Sequence, residues 1–134
     1  MKLLLDTHII IWLFDGDKKL SKQARDMITD PNNEIYFSAL AIFEINWKLK
    51  TRPDKIPPIA EKILNLCLDG GFKCLPLELN HVLAFESLER KAGKPLHRDP
   101  FDNLMLAQAV AEDMTFITHD ERIAEYDCNN ILKV

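Results

Sequence analysis

Leu3-Leu4-Leu5 is a short apolar run that stops at Asp6. Its length and position favour a buried strand. Thr7 to Phe14 is apolar and is expected to begin a helix, before the turn signal Asp15-Gly16-Asp17. Ser21 to Thr29 reads as a polar surface helix with Ser21 as N-cap. Glu34 to Phe37 is β-prone, and Ala39 to Leu49 has helical composition behind Ser38 as N-cap. The stretch Lys50 to Pro58, which holds Pro53, Pro57 and Pro58, reads as a loop. Pro58 to Leu68 carries Ile59, Ile63 and Leu66 at helical spacing and ends at Gly70-Gly71. Phe72 to Leu77 reads as a third strand, although Pro76 lies near its end. Leu79 to Lys91 is expected to be a helix closing at Gly93, and Pro100 to Asp113 a helix led by Asp99. Thr115 to Thr118 reads as a fourth strand and Ile131 to Val134 as a fifth.

Strands therefore alternate with helices, which predicts an α/β fold. The expected architecture is three-layered: a central, mostly parallel sheet of four to five strands with helices on both faces. No repeat, linker or low-complexity tract divides residues 1–134, so one domain is expected. In such sheets ligands bind outside the carboxyl ends of the strands. The residues that follow each strand are the first place to look for chemistry.

Those residues are acidic. Asp6 directly follows the first strand, and Asp120 lies two residues past the fourth. Either one alone is also a good helix N-cap. Asp99-Pro100-Phe101-Asp102 fits a capping arrangement with Asp99 at N-cap, Pro100 at N1 and Asp102 at N3. Capping does not forbid a second role, because these carboxylates also face the strand ends. Glu44 is harder to explain structurally. It shares one helix face with Leu40 and Trp47, at i, i+4 and i+7. An ionised glutamate buried there costs several kcal/mol unless it is paired or bound to a cation.

Composition changes this picture in one respect. The net charge is −4, with no basic run. A protein that grips nucleic acid by neutralising phosphates should be basic. Converging carboxylates repel one another unless protonated or bound to metal. Hard cations such as magnesium take oxygen ligands and leave room for water and phosphate. A metal-loaded acid cluster thus answers both problems, and its chemistry is phosphodiester hydrolysis. The cysteines, Cys67, Cys74 and Cys128, are odd in number and irregularly spaced, which argues against a disulfide framework. Cys67 and Cys74 fall in apolar stretches, where buried free thiols are expected. No signal peptide or membrane-length apolar run is visible, so a cytoplasmic location is expected.

The same residues resemble a known family. Leu3-Leu4-Leu5-Asp6-Thr7-His8 is similar to the opening of PIN-domain proteins, and Ser38 through Glu44-Ile45 to their second acidic motif. His97-Arg98-Asp99-Pro100-Phe101-Asp102-Asn103-Leu104-Met105-Leu106-Ala107-Gln108-Ala109 resembles the third motif, in the form seen in the VapC branch of toxins. Thr118-His119-Asp120 resembles the fourth. The resemblance implies a PIN-like fold and a ribonuclease that uses magnesium or manganese. It implies Asp6, Glu44, Asp102 and Asp120 as catalytic, metal-holding acids. Asp99 is an implied accessory acid, with Thr7 or Thr118 as a supporting hydroxyl. Two positions depart from the family pattern: Phe43, where tryptophan is frequent, and Asn103, where arginine is usual. The implied partners are RNA, a cognate antitoxin protein and a second copy of the chain.

His8, His97 and Arg98 read as loop or edge residues, with His97 and Arg98 as candidates for RNA phosphate contact. Trp12, Phe14 and Trp47 are candidates for base stacking, or for packing in the core or against a partner. Competing readings are an inactive RNA- or protein-binding domain on the same fold, and a metal-dependent phosphatase or receiver-type α/β domain. The last two lack expected signatures. A dehalogenase-type phosphatase wants Asp-x-Asp where Asp6 and His8 stand, and a receiver domain wants a lysine where Thr118-His119-Asp120 stands.

Overall fold

The strand β1 (Lys2–Leu5) forms the middle of the molecule, and Leu3, Leu4 and Leu5 are all fully buried. Successive strand side chains point to opposite faces, so three consecutive buried leucines require cover on both sides. The computed structural model describes residues 1–55 and 58–134. Among them the elements run β1, α1 (Thr7–Asp15), α2 (Lys22–Thr29), β2 (Glu34–Ser38), α3 (Ala39–Thr51), α4 (Ala60–Asp69), β3 (Lys73–Leu75), α5 (Leu79–Ala84), α6 (Pro100–Ala111), β4 (Thr115–Thr118), α7 (Glu121–Ala124) and β5 (Ile131–Lys133), with short 3-10 turns at Pro53–Lys55 and Phe85–Ser87.

All five strands are parallel, in the order β3-β2-β1-β4-β5. The chain builds outward from β1 through β2 to β3, then crosses back to place β4 on the other side of β1. The order therefore reverses between β1 and β4, the point where sheets of this kind open a binding crevice. Helices α1, α3 and α7 start immediately after β1, β2 and β4, and their N-caps are Asp6, Ser38 and Asp120. Phe37, Phe116 and Ile117 from the strands pack with Ile9, Ile10, Ile45, Met105 and Leu106 from the helices in one core. Each such side chain contributes roughly 1.5–3 kcal/mol by leaving water.

Four expectations need correction. The helix starting at Leu79 stops at Ala84 rather than reaching Lys91. Beyond it, the backbone of Glu89–Lys91 pairs with Glu125–Asp127, through Asp127 N–H to Glu89 and Lys91 N–H to Glu125 carbonyls at 2.8 Å each. The strand β3 is shorter than expected because Pro76 has no N–H to extend the ladder. At this sheet edge Cys74 is exposed, whereas Cys67 is buried on α4. Finally, Lys50 and Thr51 belong to α3, not to a loop. Ile56 and Pro57, the end of that expected loop, lie outside the described residues.

Candidate metal centre

Asp6 directly follows β1, and its backbone N–H donates to the Ile117 carbonyl of β4 at 2.9 Å. Its Oδ1 accepts the Thr7 N–H at 2.7 Å, which caps α1, and its Oδ2 accepts the Thr118 hydroxyl at 2.6 Å. Thr118 Oγ1 in turn accepts the Asp120 N–H at 3.1 Å. A single buried hydroxyl on β4 thus couples the acids that follow β1 and β4. Asp120 caps α7 by accepting the Arg122 N–H at 2.8 Å.

Glu44 comes from α3 and is 3% exposed. Its Oε1 accepts the Thr7 hydroxyl at 2.7 Å, and its Oε2 pairs with Lys48 Nζ at 2.8 Å. Two of the buried acids are therefore each served by one threonine, Thr7 for Glu44 and Thr118 for Asp6. Asp102 lies in the first turn of α6. Asp99 caps that helix through Oδ1, which accepts the N–H groups of Phe101 at 2.9 Å and Asp102 at 3.3 Å.

These elements converge on a cleft of about 300 Å³ lined by Asp6, His8, Trp12, Glu44, Asp99, Asp102, His119 and Asp120. Burial pushes the Asp102 carboxyl up to about 9, and the charges of Asp6, Asp99, Glu44 and Asp120 add to the rise. Burial likewise raises Asp6 to about 6, against the opposing hydrogen bonds from Thr118 and Thr7. The cleft is short of positive charge: Lys48 offsets Glu44, and the other carboxylates are left facing one another. An oxygen-rich, charge-deficient donor set of this kind fits a hard divalent cation. One ligand atom each from His97, Asp102 and Asp120 lies within 4.8 Å of the other two.

The structure brings Asp6, Glu44, Asp99, Asp102 and Asp120 to one cleft, and corrects two other expectations, for His97 and Trp47. His97 is buried, not exposed, with Nε2 at 3.0 Å from Asp102 Oδ2. Arg98 is exposed. Trp47 does not share the burial of Glu44 but is 51% exposed, beside an exposed Phe43 with ring centroids 6.4 Å apart. Trp12 contributes to the cleft wall, edge-on to His119 at 5.2 Å. Phe14 stands away from the cleft against Phe72, at 5.9 Å. Sequence reasoning missed Lys48, although its i+4 spacing from Glu44 signals a pair.

The PIN domain family model matches residues 3–128. The chain belongs to the PIN domain family. Two solved structures share the fold at low identity. One is a chain of VapBC2 from Rickettsia felis bound to a DNA fragment from their promoter, with a TM-score of 0.68 and 16% identity over 100% of this chain and 98% of that one. The other is a chain of VapBC-1 from nontypeable Haemophilus influenzae, with a TM-score of 0.57 and 20% identity over 92% of this chain and 93% of that one. Among curated proteins none matches the sequence. The PIN domain seen here places its acids at the switch point of the sheet. Among the described residues no helix is long and apolar enough to cross a membrane.

Proposed function

We propose that this PIN domain is a divalent-metal-dependent endoribonuclease, and that it acts as the toxin of a cytoplasmic toxin–antitoxin pair. The observation that carries the reading is the convergence of Asp6, Glu44, Asp102 and Asp120 from four elements onto one cleft. Those four side chains would hold a magnesium or manganese ion. When bound, such an ion offsets charge on the phosphate oxygens and makes water a stronger nucleophile at neutral pH. Thr7 and Thr118 fix the carboxylates of Glu44 and Asp6, so neither has to reorganise when substrate arrives. Asp99 is accessory: it holds the α6 terminus that presents Asp102.

Substrate contact falls to Arg98, which is exposed one residue before Asp99. A second groove of about 400 Å³, lined by Trp47, Lys48, Arg52 and Phe101, shares Glu44 and Asp99 with the acid cleft. It supports a path for the RNA strand, with aromatic faces for bases and cations for phosphates. Replacing Arg98 by alanine should raise KM several-fold and leave kcat unchanged, because a phosphate contact away from the reacting bond binds substrate and transition state alike.

The reading is tested by incubating pure protein with a labelled RNA and graded magnesium or manganese. Cleavage that saturates with metal and stops with chelator is expected. Cleavage indifferent to chelator would refute it.

The toxin role is supported by the fold shared with chains of VapBC2 and VapBC-1. A protein partner is expected to insert arginine into the acid cleft, because a guanidinium forks onto a carboxylate with charge-assisted bonds. Trp12 at the cleft and Phe14 beside Phe72 are the proposed apolar anchors. Exposed Leu79, Val82 and Leu83 on α5 support a second copy of the chain as a further partner, which sedimentation equilibrium tests. Co-purification with a small neighbouring protein, repeated after its arginines are changed to alanine, tests the inhibition. A complex that inhibits equally well without them would remove the neutralisation mechanism.

A further inference from the structure

His97 sits in an irregular stretch between the Phe85–Ser87 turn and α6, yet it is only 5% exposed. A loop histidine stays buried beside carboxylates only if something holds its backbone. Asn103 Nδ2 donates to the His97 carbonyl at 2.7 Å, and Asn103 Oδ1 accepts the Tyr126 hydroxyl. Tyr126 is itself buried, and the Arg90 guanidinium lies 4.4 Å from its ring centroid. Arg90 donates to the carbonyls of Pro95 and Arg122 at 2.7 Å each, and pairs with Glu125 at 3.0 Å. Asn103, the departure from the family pattern, is therefore the centre of a clamp. Its amide ties the His97 loop to the segment after α7.

The clamp has a consequence for the acid cleft. His97 Nε2 lies 3.0 Å from Asp102 Oδ2 and 3.8 Å from Asp120 Oδ2. Its Nδ1 is buried with no hydrogen-bond partner among the described residues. Among the described residues the ring's one side-chain hydrogen bond is with Asp102. Once Asp102 is ionised, as a bound cation requires, the proton belongs on Nε2, where it is a donor. A carboxylate oxygen that accepts this bond cannot rotate freely, which restrains the Asp102 carboxylate where it lines the cleft.

We propose that His97 is a positioning residue of the metal centre, which orients Asp102 for the cation, and that Asn103 and Tyr126 form the clamp that keeps it there. The proposal rests on the reading of the acid cleft as a cation site. Partners that orient metal ligands are worth about 10- to 100-fold in metal affinity. Tyr126 does not touch Asp102, so its effect has to travel through the clamp.

The probe is manganese, titrated by calorimetry and by electron paramagnetic resonance against wild type, His97→Leu, His97→Gln and Tyr126→Phe. Circular dichroism and metal-free melting establish that each variant folds. His97→Leu should bind manganese about 10- to 100-fold more weakly. His97→Gln, whose amide can donate near the position of Nε2, should recover most of that loss. Tyr126→Phe, which removes one hydroxyl and keeps the ring under Arg90, should lose affinity by about 3-fold or more, a smaller part of the same effect. A folded His97→Leu with wild-type affinity would overturn the proposal. So would a His97→Gln variant as weak as His97→Leu, or a spin-echo nitrogen coupling showing the imidazole bound directly to the ion. If His97→Leu does not fold, an unchanged affinity in Tyr126→Phe overturns the clamp on its own. Wild type that binds no manganese would overturn the cation site itself. Binding in wild type with no change in any variant would overturn only the role of His97.

Discussion

Glu44 shows what a single residue can reveal. It sits in an apolar run, and both of its oxygens are engaged, by Thr7 and by Lys48. Removing its charge but not its shape separates a structural acid from a functional one. Asp6→Asn, Glu44→Gln, Asp102→Asn and Asp120→Asn should each lower ribonuclease activity by at least ~100-fold, on the scale of losing one preorganised electrostatic group. Circular dichroism should show all four folded. Asp99→Asn should be milder, since asparagine caps a helix as well as aspartate does. Wild-type activity in all four variants would make these acids structural, and an Asp99→Asn loss equal to that of Asp102→Asn would reverse their ranking. Residue by residue, the acids were legible because Asp6 and Asp120 follow strands, Glu44 interrupts an apolar run, and Asp102 sits three residues past the Asp99 cap in a motif that resembles the family's third. His97 was not. Its burial depends on Asn103 and on Tyr126, which lies 29 positions further along the chain, and no local pattern records that contact.

Elements were legible where local chemistry decides them. The buried strand β1 has no polar position between Leu3 and Leu5, and Ser21, Ser38 and Asp99 stand as N-caps where the sequence places them. The turn at Asp15-Gly16-Asp17 is another case. Gly16 adopts φ +65, and a Cβ added there would meet nothing within 4 Å. Gly16→Ala should therefore cost about 1 kcal/mol through backbone conformation alone. Thermal melting should record a drop of a few degrees. Manganese affinity should not change, because the turn is at the far end of α1 from Asp6. Elements were illegible where distant pairing decides. The segment after Ala84 has helical composition, but Glu89–Lys91 gains backbone partners in Glu125–Asp127. The four-residue helix α7 is too short to leave a periodic signal and is set by the Asp120 cap.

At the scale of the whole molecule, the sheet order explains why an acidic protein gathers more acid in one place. The reversal between β1 and β4 opens a crevice; Asp6 directly follows β1, and Asp120 lies two residues past β4. The core supplies the stability that holds like charges together: β1 is buried along Leu3–Leu5, and its neighbours β2 and β4 are buried at Phe37, Phe116 and Ile117. The metal-free protein therefore stores repulsion in its cleft, as active sites commonly do at a cost in stability. Thermal melting with and without magnesium or manganese, in wild type and in Asp102→Asn, measures that repulsion and its relief together. Metal at about 100 times Kd should stabilise wild type by about 2.7 kcal/mol, a shift on the order of 10 °C, reversed by chelator. Asp102→Asn should melt above wild type without metal and shift little when metal is added. Equal melting of wild type with and without metal, and of both proteins in its absence, would contradict a cation site built from these carboxylates.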